Sequence, residues 1–157
     1  MKKHTVFSFL ASCSILFGSS YLPASAGEWQ DSSYNYTEYY SDGSYAVITI
    51  TEDAVNAKAS TKSAQKSYNY HNNAGESLWT YTLSGTFTYN GTTSSCTSVY
   101  DSYTIENSNW HLDSRSCYKS GKSAYGSVTM KYKVLGITTK TVSQDLTISC
   151  SAGGVIS

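Results

Sequence analysis

The sequence is nearly devoid of proline. Its one proline, Pro23, falls early, so every later residue keeps a backbone N–H for pairing. Phenylalanine is almost as scarce: Phe7, Phe9 and Phe17 share that early stretch and leave Phe87 alone. Beyond it stand two histidines, His71 and His111. Neither lies at a ligand spacing from another histidine, and no Cys-x-x-Cys occurs, which removes the recognisable zinc motifs. Neither sign of charge dominates, with 11 basic and 11 acidic residues. Without a basic run, binding to nucleic acid or to an anionic membrane surface has no electrostatic footprint. There is no Gly-x-Ser-x-Gly elbow and no phosphate-cradling glycine loop, and no cofactor is implied.

What is present begins with a leader. Lys2 and Lys3 precede an apolar stretch from Val6 to Leu22, which ends at Ala24-Ser25-Ala26. That order of charge, apolar run and small residues predicts a secretory signal peptide over residues 1–26, and hence a secreted protein with no membrane span after cleavage. The short lysine-led form points to a bacterium. The alternative location is a lipoprotein anchored to the cell envelope through Cys13, since Leu10-Ala11-Ser12-Cys13 matches a lipid-attachment pattern. Against it, the lysines stand close to that cysteine and the apolar run continues past it.

The remainder is rich in tyrosine, serine and threonine, a strand-favouring and polar composition. Its length suits one domain. Residues 27–43 form a Tyr-rich segment ending in a hairpin signal at Asp42-Gly43, and 44–157 read as a single all-β domain. Strands are predicted over 44–51, 78–89, 94–105, 109–118, 127–134 and 137–150 from alternation of large apolar and polar residues. Residues 52–67 are ambiguous. Lys58, Lys62 and Lys66 recur at a helical spacing, while Val55, Ala57 and Ala59 alternate; we take a strand. Asn90-Gly91 predicts a two-residue turn. The sum is an antiparallel β-sandwich of roughly seven or eight strands, with a partly open barrel as the alternative.

Three cysteines follow the leader: Cys96, Cys117 and Cys150. An exported chain invites disulfides. A two-residue turn at Asn90-Gly91 would set Gly85 opposite Cys96, on the face of Trp79, Leu83 and Phe87. Gly85 would then be space left for that cysteine. Cys150 shares an apolar face with Leu146 and Ile148, whereas Cys117 alternates with charged residues and reads as outward. The parities favour Cys96–Cys150, a link worth about 4 kcal/mol in the chain-entropy account. Cys96–Cys117 is the alternative, and an exposed Cys117 also allows a disulfide-linked dimer.

Four stretches together, LSGTFTYNGTTSSCTS, IENSNWHLDS, GSVTMKYKVLGI and LTISCSAGGVIS, resemble a family of small secreted Firmicutes proteins that carry a domain of unknown function. The resemblance covers roughly residues 78–157, and its most specific parts are Gly-Thr-Phe-x-Tyr-x-Gly and the closing Cys-x-x-x-Gly. It implies export and an all-β fold. It also implies that the positions of Cys96 and Cys150 hold the usual two cysteines, while that of Cys117 is commonly small. It implies no activity.

Candidates for chemistry are few. His111 and Asp113 share a strand face, which we read as a solvated surface with a local ion pair to Arg115. Cys117 and His111 lie too far apart along one strand for direct pairing. Glu76, Asp101, Glu106 and Asp113 fall near turns or outer faces, so paired catalytic carboxylates are not recognisable. Trp79 and Trp110 sit on inward faces and read as core. Tyr34, Tyr36, Tyr39 and Tyr40 form the possible binding surface, with some rings necessarily outside because both parities occur. The expected function is therefore a secreted or envelope-associated, non-catalytic module that binds an envelope glycan or a protein partner. The alternative is a small secreted effector or antimicrobial polypeptide.

Overall fold

The computed structural model describes residues 4–6, 32–53 and 60–157. The expected leader, Cys13 and the centre of the ambiguous 52–67 stretch lie outside these, apart from His4–Val6. Eight long strands form two antiparallel sheets. The larger sheet runs β2 (Ser32–Tyr39), β3 (Tyr45–Glu52), β4 (Thr61–His71), β5 (Ser77–Tyr89) and β6 (Ser94–Ile105), each beside the next. A three-residue strand, β1 (His4–Val6), pairs with Thr37–Tyr39 along the outer side of β2. The smaller sheet is β7 (Trp110–Ser120), β8 (Ser123–Val134) and β9 (Ile137–Ser149). The sheets stack as a sandwich and do not close into a barrel. The Tyr-rich segment is integral to the fold, since β2 pairs with β3 along its whole length.

The alternating stripe of β5 is the centre of the core. Trp79, Tyr81, Leu83 and Phe87 are fully buried, and so are Tyr68 and Tyr70 of β4 and Met130, Val128 and Ile148 of the smaller sheet. Trp79 lies 5.3 Å from both Tyr68 and Tyr70, ring centre to ring centre, and 6.1 Å from Trp110 across the sheets.

Three details differ from the expectation. The hairpin after β5 is a four-residue loop, because Asn90 N–H bonds Thr93 C=O and the Asn90 carboxamide accepts from Thr92 and Thr93 N–H. An extra residue also enters β6 where the register shifts beside Thr86 and Phe87. In consequence Phe87, not Gly85, faces Cys96, and Gly85 pairs with Val99. The space at Gly85 is filled by the Phe87 ring itself: a Cβ there would come within 2.7 Å of its Cζ and 3.2 Å of the Ala124 methyl. Asp42-Gly43 likewise belongs to a longer turn, with Tyr40 N–H bonding Ser44 C=O at 2.9 Å and Gly43 at φ 82°.

The third correction concerns Cys117. A bulge between Leu112 and Ser114 leaves Asp113 without a partner on β8. Parity reverses after it, so Arg115 and Cys117 turn toward β6. Cys117 is half-buried against the core rather than outward. Asp113 pairs with Lys131 at 2.7 Å, and Arg115 pairs instead with Asp101 at 3.4 Å.

Gly126 marks a close approach of the sheets. A Cβ at this position would lie 2.5 Å from the Tyr81 hydroxyl and 2.9 Å from Leu83 Cδ1. Gly126→Ala should therefore cost about 1–3 kcal/mol, read as a lowered urea midpoint. An unchanged midpoint would mean that the sheets do not meet there.

Candidate functional site

The smaller sheet covers only part of the larger. Strand β9 packs over β4 and β5, so β3 and β2 extend past it as a shelf, on which Ala46, Ile48 and Ile50 of β3 are buried and Tyr34 of β2 is exposed. Where the β2–β3 turn rises at the end of this shelf, a cleft of about 350 Å³ opens. One wall is Tyr40, Ser41, Asp42, Ser44 and Tyr70; the other is β9 from Lys140 to Gln144.

The turn builds the polar end. Asp42 accepts from Ser44 N–H at 3.1 Å and from Ser44 Oγ–H at 2.5 Å, a local turn bond that aspartate and serine favour. Ser44 Oγ in turn accepts from the Tyr70 hydroxyl at 2.8 Å. Lys140, the first inward residue of the regular part of β9, donates to Asp42 Oδ2 at 2.5 Å and to the Tyr70 hydroxyl at 2.6 Å. Its Nζ also stands 5.2 Å from the Tyr70 ring centre. Tyr40 supplies the aromatic wall, 5.9 Å from Tyr70, and shares a 2.5 Å hydroxyl bond with Tyr68.

These contacts set the charges. Hydrogen bonds from Lys140 and Ser44 hold the Asp42 carboxyl down at about 2. Burial alone would lower Lys140, but its bonds to Asp42 and Tyr70 outweigh that, and its pKa is raised. Burial raises Tyr40 and, more strongly, Tyr68. At neutral pH the cleft therefore presents an ammonium, a carboxylate and neutral phenols. Ser44 has no base to activate it: its proton points to a carboxylate of very low basicity, and Lys140 is held protonated.

The four tyrosines singled out in the sequence divide between faces. Tyr34 and Tyr36 lie opposite Ile50 and Ile48 on the shelf, Tyr34 being 48 % exposed. Tyr40 reaches the cleft. Tyr39 points to the other face, 51 % exposed, against Tyr45, whose ring stacks on His71 at 4.7 Å. Asp42, Ser44, Tyr70 and Lys140 were not singled out. Asp42 read only as a turn residue.

Cys96, Cys117 and Cys150 are free thiols. Cys96 and Cys150 are buried in the same core, and their N–H groups bond the adjacent carbonyls of Gly121 and Lys122 at 2.8 and 3.1 Å. Burial raises the pKa of both. Cys117 is raised by burial and by nearby Asp101. No group of three or more His, Cys, Asp or Glu converges among the described residues. In comparisons with known proteins, no family model, curated protein or solved structure matches the chain.

The depressed Asp42 pKa has a signed consequence. Its pairing adds stability above the ordinary carboxylate pKa, and that increment is lost as pH falls from about 4 toward its folded value of about 2. Wild type should melt above Asp42→Asn at pH 6, with the gap closing by pH 2 and narrowing in salt because the pair is half exposed. A gap constant across that range would mean that Asp42 does not titrate with the cleft.

Proposed function

We propose that the protein is a secreted or cell-envelope-associated β-sandwich that binds a ligand in the cleft between β9 and the β2–β3 turn, without catalysing a reaction. The ligand is an envelope glycan or a protein partner. One observation carries this reading. The cleft joins the half-buried ring of Tyr40 to a polar cluster whose members neutralise one another, so it offers contact surface and hydrogen bonds but no activated nucleophile. Tyrosine suits such contact because it joins an apolar ring face to a polar edge.

The test is retention on insoluble cell-envelope material, with separate portions treated with protease or with periodate. Tyr40→Ala and Lys140→Met should each lower retention about tenfold, a loss of roughly 1.4 kcal/mol, while leaving the far-ultraviolet circular dichroism unchanged. Retention that survives both substitutions would overturn the cleft as the site.

Export would also favour oxidation of Cys96 and Cys150 to a disulfide. Their backbones are anchored to neighbouring carbonyls of one turn, and the link would tie β6 to the end of β9. Alkylation of the exported, denatured protein without reductant should then label Cys117 alone. Labelling of all three cysteines would rule the link out.

A further inference from the structure

The outer edge of β9 is long and regular. Its pairing with β8 is regular from Ser149 back to Lys140, with the shift only beyond, at Tyr132 and Lys133. Ser149 exchanges both backbone bonds with Ser157, at 2.8 and 2.9 Å, on the side away from β8. In an antiparallel ladder the side to which N–H and C=O point alternates with each residue. Thr147, Asp145, Ser143 and Thr141 therefore point the same way as Ser149. The Thr147 carbonyl confirms the direction, since it accepts from Lys66 of β4 at 3.4 Å. The Asp145 carbonyl accepts from the Gln144 side chain at 2.9 Å. Among the described residues no backbone partner faces Thr141, Ser143 or the Asp145 N–H.

We infer that this edge takes an extended polypeptide segment of a partner protein, added antiparallel to β9 across Thr141–Asp145, with alternate side chains entering the cleft beside Tyr40 and Tyr70. The inference rests on the binding-module reading and names its ligand as peptide. Two observations favour it. The chain's own tail already pairs in this manner at Ser149 and Ser157, so the edge accepts a strand. The open backbone groups lie along the same stretch of β9, Lys140 to Gln144, that walls the cleft. A second copy's β9 does not fit, because two-fold pairing keeps both larger sheets on one side and drives their shelves together. In strand addition, main-chain bonds supply affinity and alternate side chains supply selectivity.

The probe is an acetylated, amidated peptide, Lys-Thr-Val-Thr-Tyr-Thr-Val-Thr-Lys, with a twin N-methylated at alternate residues so that one edge cannot donate. In the free protein the amides of Thr141, Ser143 and Asp145 should exchange rapidly with solvent hydrogen. The peptide should slow them tenfold or more, and the methylated twin should bind at least tenfold more weakly. Ser143→Pro removes an outward N–H and the Ser143–Thr129 hydroxyl bond but leaves the backbone bonds to β8 in place, and should weaken the peptide to the same degree. The twin, tested on the unaltered protein, keeps the test valid if that variant misfolds. Protection of those amides before peptide is added, or equal binding of the twin, would overturn strand addition. If the peptide fails to bind while envelope material is still held through Tyr40 and Lys140, strand addition falls and the binding reading stands. If both fail, both fall.

Discussion

Trp79 holds the two sheets together and sets the cleft at the same time. It is the most central large side chain of β5, fully buried, with Tyr68 and Tyr70 stacked against it from β4 and Trp110 approaching from the smaller sheet. Aromatic pairs at such spacings add about 0.5–1.5 kcal/mol each beyond the area they bury. Large aliphatic residues, among them Ile48, Leu83, Met130 and Ile148, complete the same core. Tyr70 packs 5.6 Å from Trp110 with its ring edge-on, which fixes where its hydroxyl emerges. That hydroxyl is the hinge of the cleft network, accepting from Lys140 and donating to Ser44. Core and site thus share a side chain, and the position of the polar cluster follows from packing rather than from the turn alone.

The second constraint is the unequal width of the sheets. Three strands cannot cover five, so one seam must stay open. At the β6–β7 seam, side chains close the gap: Arg115 donates to the Asp101 carbonyl at 3.3 Å, Lys119 to the Thr97 carbonyl, and Cys96 N–H to the Gly121 carbonyl. The Arg115 guanidinium also sits 5.2 Å from the Tyr103 ring centre. At the opposite seam the bridges are sparser, Lys66 to Thr147 at one point and Lys140 to Asp42 at another. Between them lies the stretch of β9 whose outward backbone has no partner among the described residues. The bulge at Asp113 explains part of this asymmetry, since without it Arg115 and Cys117 would face solvent and the β6–β7 seam would lose its bridge.

Period-two alternation made the class of fold legible, because alternation survives wherever one face is buried. It correctly marked Trp79, Leu83, Phe87 and Trp110 as inward. It failed where the period itself was broken. One extra residue in β6 and a longer loop at Asn90 displaced Cys96 from Gly85, and one at Asp113 turned Cys117 inward. A bulge leaves no strong trace in a segment already rich in serine and threonine, since either parity looks polar. The cleft was less legible still. Of its residues only Tyr40 was singled out, because tyrosine is conspicuous, whereas Asp42 and Lys140 stand 98 positions apart and meet only through the stacking of the sheets. The closing glycine is better explained after the fact: Gly154 has φ 83°, and a Cβ there would strike the Tyr89 ring at 2.6 Å.

A long regular edge such as β9 is ordinarily a hazard, because any other edge strand can pair with it. Proline is the usual device against this, and none occurs after Pro23. Lysine is another, but Lys140 turns inward to Asp42 and leaves the edge itself unguarded. Protection here is steric. The shelf of β2 and β3 projects beneath β9, so the edge is recessed, and another sheet cannot approach side by side without colliding with that shelf. A lone extended segment has no such bulk behind it. The tail that returns to Ser149 has the same slender form, and its tight turn is held by Ser151 and Val155 through a 2.8 Å backbone bond. The geometry that keeps whole domains from stacking on β9 therefore does not by itself bar a single strand. In the proposed strand addition, the recess that limits aggregation would also select a slender ligand.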